Sequence, residues 1–175
     1  MNEIIKAIKE RRSIRNFKSK VPSKEELQEI VGAGLYAANG MGEQAPKIVV
    51  VTNPILRDKI SKMNCKIGGW EEGFDPFYEA PVIIIVLAPK SWPNRVYDGS
   101  LVMGNLMLAA HSLGLGSIWI HRAKEEFESK EGKEILKQLG IEGDWEGIGH
   151  CAVGYMNAEL PNAAPRKSNR VVWAE

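Results

Sequence analysis

Apolar residues recur at helical spacing at Ile4, Ile5 and Ile8, and again at Leu27, Ile30, Val31 and Leu35 behind a capping box formed by Ser23 and Glu26. Two amphipathic helices are expected on either side of the basic stretch RRSIRNF. A β-branched run at 47–52 then reads as a strand, and Asn53-Pro54 supplies the cap and first-turn proline of a helix carrying Ile55, Leu56, Ile60 and Met63. Residues 64–80 show no period and read as a loop or mobile excursion.

The run ValIleIleIleValLeuAla at 82–88 does not alternate, which implies a central strand covered on both faces. From Tyr97 to Leu113 the chain is Leu-, Met- and Ala-rich on nearly every side, as in a helix enclosed by protein, with Gly114 as its stop. A third strand is expected at 116–120, a surface helix from Lys130 to Leu139 ended by Gly140, and a fourth strand at 149–155. The tail from Asn157 carries Pro161 and Pro165 and cannot continue a helix, yet it ends in the strand-like Val171, Val172 and Trp173. Four unevenly linked strands are too few for a doubly wound nucleotide fold. An α+β arrangement of helices around one sheet fits better.

The 175 residues, 44% apolar and 26% charged, predict one domain over 1–175. A net charge of +1 gives no overall field for a nucleic-acid backbone or an anionic membrane, so any anion site must be local. The N-terminus lacks the apolar stretch of a signal peptide and no apolar run is long enough to span a bilayer, so a cytoplasmic location is expected. Cys65 and Cys151 form no CxxC pair and read as reduced thiols, and no metal site is expected. GxGxxG, Walker, HExxH and nucleophile-elbow motifs are all missing.

Arg11, Arg12, Ser13 and Arg15 place three guanidinium groups and a hydroxyl within five residues, a donor set of phosphate size. Such a cluster is ordinarily a solvated face. What sets this one apart is a second basic pair, Arg166 and Lys167, in the proline-braced tail. The loop at 37–46, with small residues and the amides of Asn39 and Gln44, can approach a flat heterocycle, although Gly and Asn also serve ordinary turns. His111 and His150 read as hydrogen-bonded structural histidines, and Asn105 as a hydrogen-bonder between helices. Trp70, Trp92 and Trp145 read equally as pocket walls or packing.

RRSIRNF, GlyMet-x-x-Gln at 40–44, PheTyr-x-AlaPro at 77–81 and GlyLeuGlySerIleTrpIle at 114–120 occur in an order and spacing that resemble the FMN-dependent nitroreductase family. The resemblance runs from about residue 3 to about residue 173. It implies a mainly antiparallel sheet of about four strands flanked by helices, assembled as a homodimer. The C-terminal strand, within an extension over 157–175, would join the partner's sheet, and FMN would lie at the interface.

It also implies that Arg11 and Ser13, with Arg12 nearby, bind the phosphate, and that Arg15 meets the pyrimidine edge of the flavin and tunes it. Asn39, Gly40, Met41 and Gln44 would reach the cofactor from the second subunit. Backbone groups of Ile120, His121 and Arg122 would face the flavin N5 and dimethylbenzene side, the His121 side chain being available to substrate. Arg166 and Lys167 would close over the phosphate. Gly42 departs from the family pattern, where Asn is frequent. NADH or NADPH would dock transiently as donor, and a nitro compound, quinone or similar small molecule would accept, with no side chain as catalyst. A flavin reductase, a reductive dehalogenase-like relative and a non-catalytic flavin-binding module stay open as alternatives.

Overall fold

The computed structural model describes residues 1–175. Its elements are α1 (Glu3–Glu10), α2 (Lys24–Leu35), a short 3-10 turn at Gly40–Gly42, β1 (Lys47–Val51), α3 (Pro54–Gly68), β2 (Val82–Pro89), α4 (Arg95–Ser112), β3 (Gly116–Ile120), α5 (Ala123–Glu128), α6 (Lys130–Gln138) and β4 (Trp145–Gly154). The strands form one antiparallel sheet in the order β1-β2-β4-β3. No helix is long and apolar enough to cross a membrane.

The unbroken apolar run of β2 follows from its central place. Ile83, Ile85 and Leu87 join Ile60, Phe127 and Ile135 in one core, while Ile84 and Val86 join Leu27, Ile30, Met103 and Leu106 in the other. The α2 capping box forms as its sequence requires: the Glu26 amide donates to the Ser23 hydroxyl, and the Ser23 amide donates to the Glu26 carboxylate. Asn105 donates to the Ala33 carbonyl at 2.9 Å and ties α4 to α2.

Four expectations need correction. Residues 64–68 are the last turn of α3 rather than loop, because Asn64 and Cys65 are buried there, and the helix stops at left-handed Gly69. Helix α4 is covered on one side only, since Tyr97 and Leu101 are exposed. The short helix α5 was not expected, although Ala123, Glu126 and Phe127 carry helical spacing and are buried. Strand β4 begins at Trp145, four residues before the expected start, because Trp145 to Gly147 pair with Pro89 to Leu87 of β2.

The glycines of β4 accommodate a bulge. Val86 faces Gly149 while Leu87 faces Gly147, so Ile148 is the extra residue and projects towards Gly99 of α4. At Gly147 a Cβ would stand 2.2 Å from the Ala123 carbonyl oxygen, so α5 lies directly against β4 only because the side chain is missing. Between them Glu126 and His150, both fully buried, approach to 2.6 Å without good hydrogen-bond alignment, and His150 Nδ1 lies 3.3 Å from the Ile120 carbonyl. Gly147→Ala pits a methyl group against backbone. We expect a loss towards the upper end of the about 1–3 kcal/mol typical of overpacking, read as a lower midpoint in thermal unfolding.

Candidate functional site

Helix α1 ends at Glu10, and the chain then runs extended beside the sheet. The Ile14 amide donates to the Ser117 carbonyl at 3.1 Å, Phe17 pairs with Met156, and the Lys18 amide donates to the Tyr155 carbonyl at 2.9 Å. Ile14 and Phe17 are buried, which fixes the intervening polar residues at the margin of the sheet. Arg12 is committed to its own helix end, donating from Nη1 to the carbonyls of Lys9 and Arg11, each at 2.7 Å. Arg12 Nε is nevertheless buried without a partner, and so is Arg11 Nη1, but the Arg11 side chain makes no hydrogen bond to the chain at all. An unpaired buried donor of this kind costs about 1–3 kcal/mol or more, which an arriving anion would recover.

Two neighbours are affected by burial and by these arginines. The pKa of His111 is lowered by burial and by Arg11 and Arg12, against Glu10, and the side chain makes no hydrogen bond, contrary to expectation. Burial pushes the Cys151 thiol up to about 12 despite Arg11, so it is no nucleophile at neutral pH. Cys65 is also a free, buried thiol.

The turn after β3 is held from α3. Asn64, fully buried, donates from Nδ2 to the His121 carbonyl at 2.9 Å and accepts from Arg122 Nε at 3.1 Å. Arg122 has φ 76°, and its guanidinium stands 4.2 Å from the Trp70 ring centre. The His121 ring is exposed and lies 6.0 Å from that of Trp119. Sequence reasoning missed Asn64. Its signal was a polar residue on the apolar face marked by Ile60 and Met63.

The segment from Gly69 to Pro81 is ordered by one carboxylate. Asp75 accepts from Arg57, from the Ser61 hydroxyl at 2.7 Å, and from the amides of Phe77 at 3.0 Å and Glu79 at 2.7 Å. The rings of Trp70, Phe74 and Tyr78 follow one another at 5.1 and 6.4 Å, and Arg15 lies 5.9 Å from the Tyr78 ring. This loop thus spans from Arg122 to Arg15.

The other proposed contacts lie apart within one chain. Asn39 closes its own loop, donating to the Ala37 carbonyl at 3.2 Å and accepting from the Gln44 amide at 2.9 Å. Buried Asp98, also missed, accepts from the Gly40 amide at 3.0 Å and from Trp92 Nε1 at 2.7 Å. Met41 and Gln44 are exposed with positive φ, and left-handed Gly42 has open space beside it. In the tail, Arg166 donates only to the Ala164 carbonyl, Lys167 is exposed, and Val171 to Trp173 are exposed and form no strand within this chain. Trp145 donates to the Glu142 carbonyl at 2.8 Å and packs beside the core.

The profile of the nitroreductase family matches residues 8–66 and 70–155. The chain belongs to that family. A nitroreductase with bound FMN from Bacteroides fragilis is similar over 100% of both chains at 27% identity, with a TM-score of 0.90. Another with bound FMN, from Desulfitobacterium hafniense, is 30% identical over 100% of both chains, with a TM-score of 0.89. A Methanothermobacter thermautotrophicus protein provisionally named NADH dehydrogenase/NAD(P)H nitroreductase is 32% identical over 121 residues, 67% of this chain and 60% of its own length. The family implies a flavin phosphate, and the buried, unpartnered Arg11 Nη1 beside Ser13 fits one.

Asp75 makes the loop pH-sensitive. Burial favours its neutral form, but hydrogen bonds from Arg57, Ser61 and the Phe77 amide outweigh this and hold the carboxyl below its ordinary value. The resulting stabilisation is full above the unfolded value, about 4, and is lost as the pH falls through the lower folded value. Asp75→Asn should therefore be less stable at neutral pH and flatter in its acid dependence than wild type, as measured by urea unfolding across pH and by Trp70 emission.

Proposed function

We propose that this chain binds FMN and catalyses the two-electron reduction of nitro compounds, quinones or similar small acceptors at the expense of NADH or NADPH. The observation that carries the reading is Arg11 Nη1, a buried cationic donor with no partner in the chain, in a fold shared over its whole length with FMN-bound nitroreductases. When bound, FMN supplies the hydride chemistry. The chain's own residues bind and orient it.

Arg11 and Ser13 hold the phosphate. Arg15, beside Tyr78, places positive charge at the pyrimidine edge, where it favours a reduced, negatively charged ring. The backbone of Ile120, His121 and Arg122, fixed by Asn64, meets the reactive side. Arg166 and Lys167 reach the phosphate from the tail, and Asn39, Gly40, Met41 and Gln44 serve the site of the second subunit.

A homodimer accounts for the distribution of apolar surface. Helix α1 buries none of its residues and exposes Ile4, Ile5 and Ile8, while α4 exposes Tyr97 and Leu101. A groove of about 440 Å³ between α1, α2 and α4 is lined by Ile4, Ala7, Leu108 and Ala109. Obligate interfaces bury on the order of 2,000–5,000 Å², and an apolar face of this kind is ordinarily covered. Val171, Val172 and Trp173 would add to the partner's sheet and satisfy backbone groups on both sides.

Purified protein is expected to show a flavin absorbance that bleaches anaerobically with NADH or NADPH. Bound flavin that never bleaches would leave a carrier instead of an enzyme. Arg11→Ala should weaken FMN binding by about 1.5–3 kcal/mol, roughly 10- to 150-fold, in fluorescence titrations of apoprotein, and an unchanged affinity removes Arg11 from the site. Leu101→Glu, or deletion of 170–175, should shift the protein towards monomer and lower its flavin content together. Analytical ultracentrifugation that finds a wild-type monomer with stoichiometric FMN refutes the dimer.

A further inference from the structure

Arg122 is held more firmly than its binding partners within the chain require. Its backbone is left-handed, with φ 76°, its Nε donates to buried Asn64 at 3.1 Å, and its guanidinium carbon stands over the Trp70 ring, 4.2 Å from its centre. Yet neither Nη1 nor Nη2 makes a hydrogen bond, and no carboxylate stands within ion-pairing distance. Arg57 and Arg95, by contrast, each pair with a carboxylate. Glu71 and Glu72 follow Trp70 directly in the chain, and neither pairs with Arg122.

We infer that Arg122 is a specificity residue that receives the carboxylate of an aromatic acid bound against the flavin. The side chain is already immobilised, so most of the ordering entropy that a flexible arginine loses on binding is absent. The free Nη edge is the part of the guanidinium that pairs with both oxygens of a carboxylate. Trp70 and Phe74, 39% and 42% exposed, provide apolar faces beside it for an aromatic ring. His121, exposed and adjacent, leaves this side of the turn open. The inference rests on the placement of FMN at the Ile120–Arg122 turn proposed above.

The test compares FMN-loaded wild type, Arg122→Gln and Arg122→Lys. With NADH and, in parallel, NADPH as donor, the readout is the ratio of kcat/KM for 4-nitrobenzoate to that for nitrobenzene, so that any change common to both acceptors cancels. In parallel, isothermal titration calorimetry measures benzoate and benzamide binding to the oxidised holoprotein. Arg122→Gln should lower the acceptor ratio and the preference for benzoate by about tenfold or more, the scale of one charge-assisted contact, and Arg122→Lys, which keeps the charge but loses the fork, should restore only part of both. An equal effect on charged and neutral ligands overturns the inference and leaves Arg122 a structural residue. A loss confined to NADPH relative to NADH also overturns it, placing the anion on the donor. Wild type that fails to bind FMN overturns this inference together with the reading it rests on, whereas FMN-loaded, bleachable wild type with no charge preference overturns this one alone.

Discussion

With apolar side chains covering both faces of β2 and β4, no polar group can work in the middle of the sheet without a partner. Chemistry is therefore displaced to the margins, where strands end and the chain must turn. Arg11 and Ser13 lie where the N-terminal segment runs parallel beside β3, and His121 and Arg122 lie where β3 gives way to α5. The bulge at Ile148 and the bare Cα of Gly147 extend this logic to α5, whose start sets the position of that turn. Packing density in the core thus determines the placement of polar groups at its edge.

Much of the architecture was legible in the chain because it rests on local rules. The capping box at Ser23, the Asn53-Pro54 helix start and the unbroken β2 run each state their structure within a few residues. What escaped was non-local. Asn64 matters because the His121 carbonyl lies near it, and Asp98 because Gly40 does, separations of 57 and 58 residues that no periodicity encodes. Asp75 was hidden for the same reason, since its partners Arg57 and Ser61 lie 18 and 14 residues earlier, on α3. The start of β4 at Trp145 was not legible because Gly147 gives no strand signal: it answers to the close approach of α5 and to the bulge beside it.

The candidate site was legible as a set of residue types but not as an assembly. Within one chain the fold gathers Arg11, Ser13, Arg15 and the Ile120–Arg122 turn around β3 and the Trp70–Tyr78 loop. Asn39, Met41, Gln44, Arg166 and Lys167 make no hydrogen bond to these elements. Arg12 shows how one residue type divides between tasks: its Nη1 closes the end of α1 although its buried Nε has no partner, whereas Arg11, one position earlier, makes no side-chain hydrogen bond. Sequence alone could not separate the two, because the difference lies in where each guanidinium meets a carbonyl.

The Glu126–His150 pair bears on how this sequence can drift. Both side chains are fully buried at the junction of α5 and β4, so replacing either alone strands its partner in a dry interior. Mutational paths through this junction are therefore narrow. A lineage that loses the pair passes through an unstable intermediate or exchanges both residues for an apolar couple of similar volume. Homologues should divide at these two positions into discrete polar and apolar types with few mixed forms, a partition set by solvation rather than by chemistry.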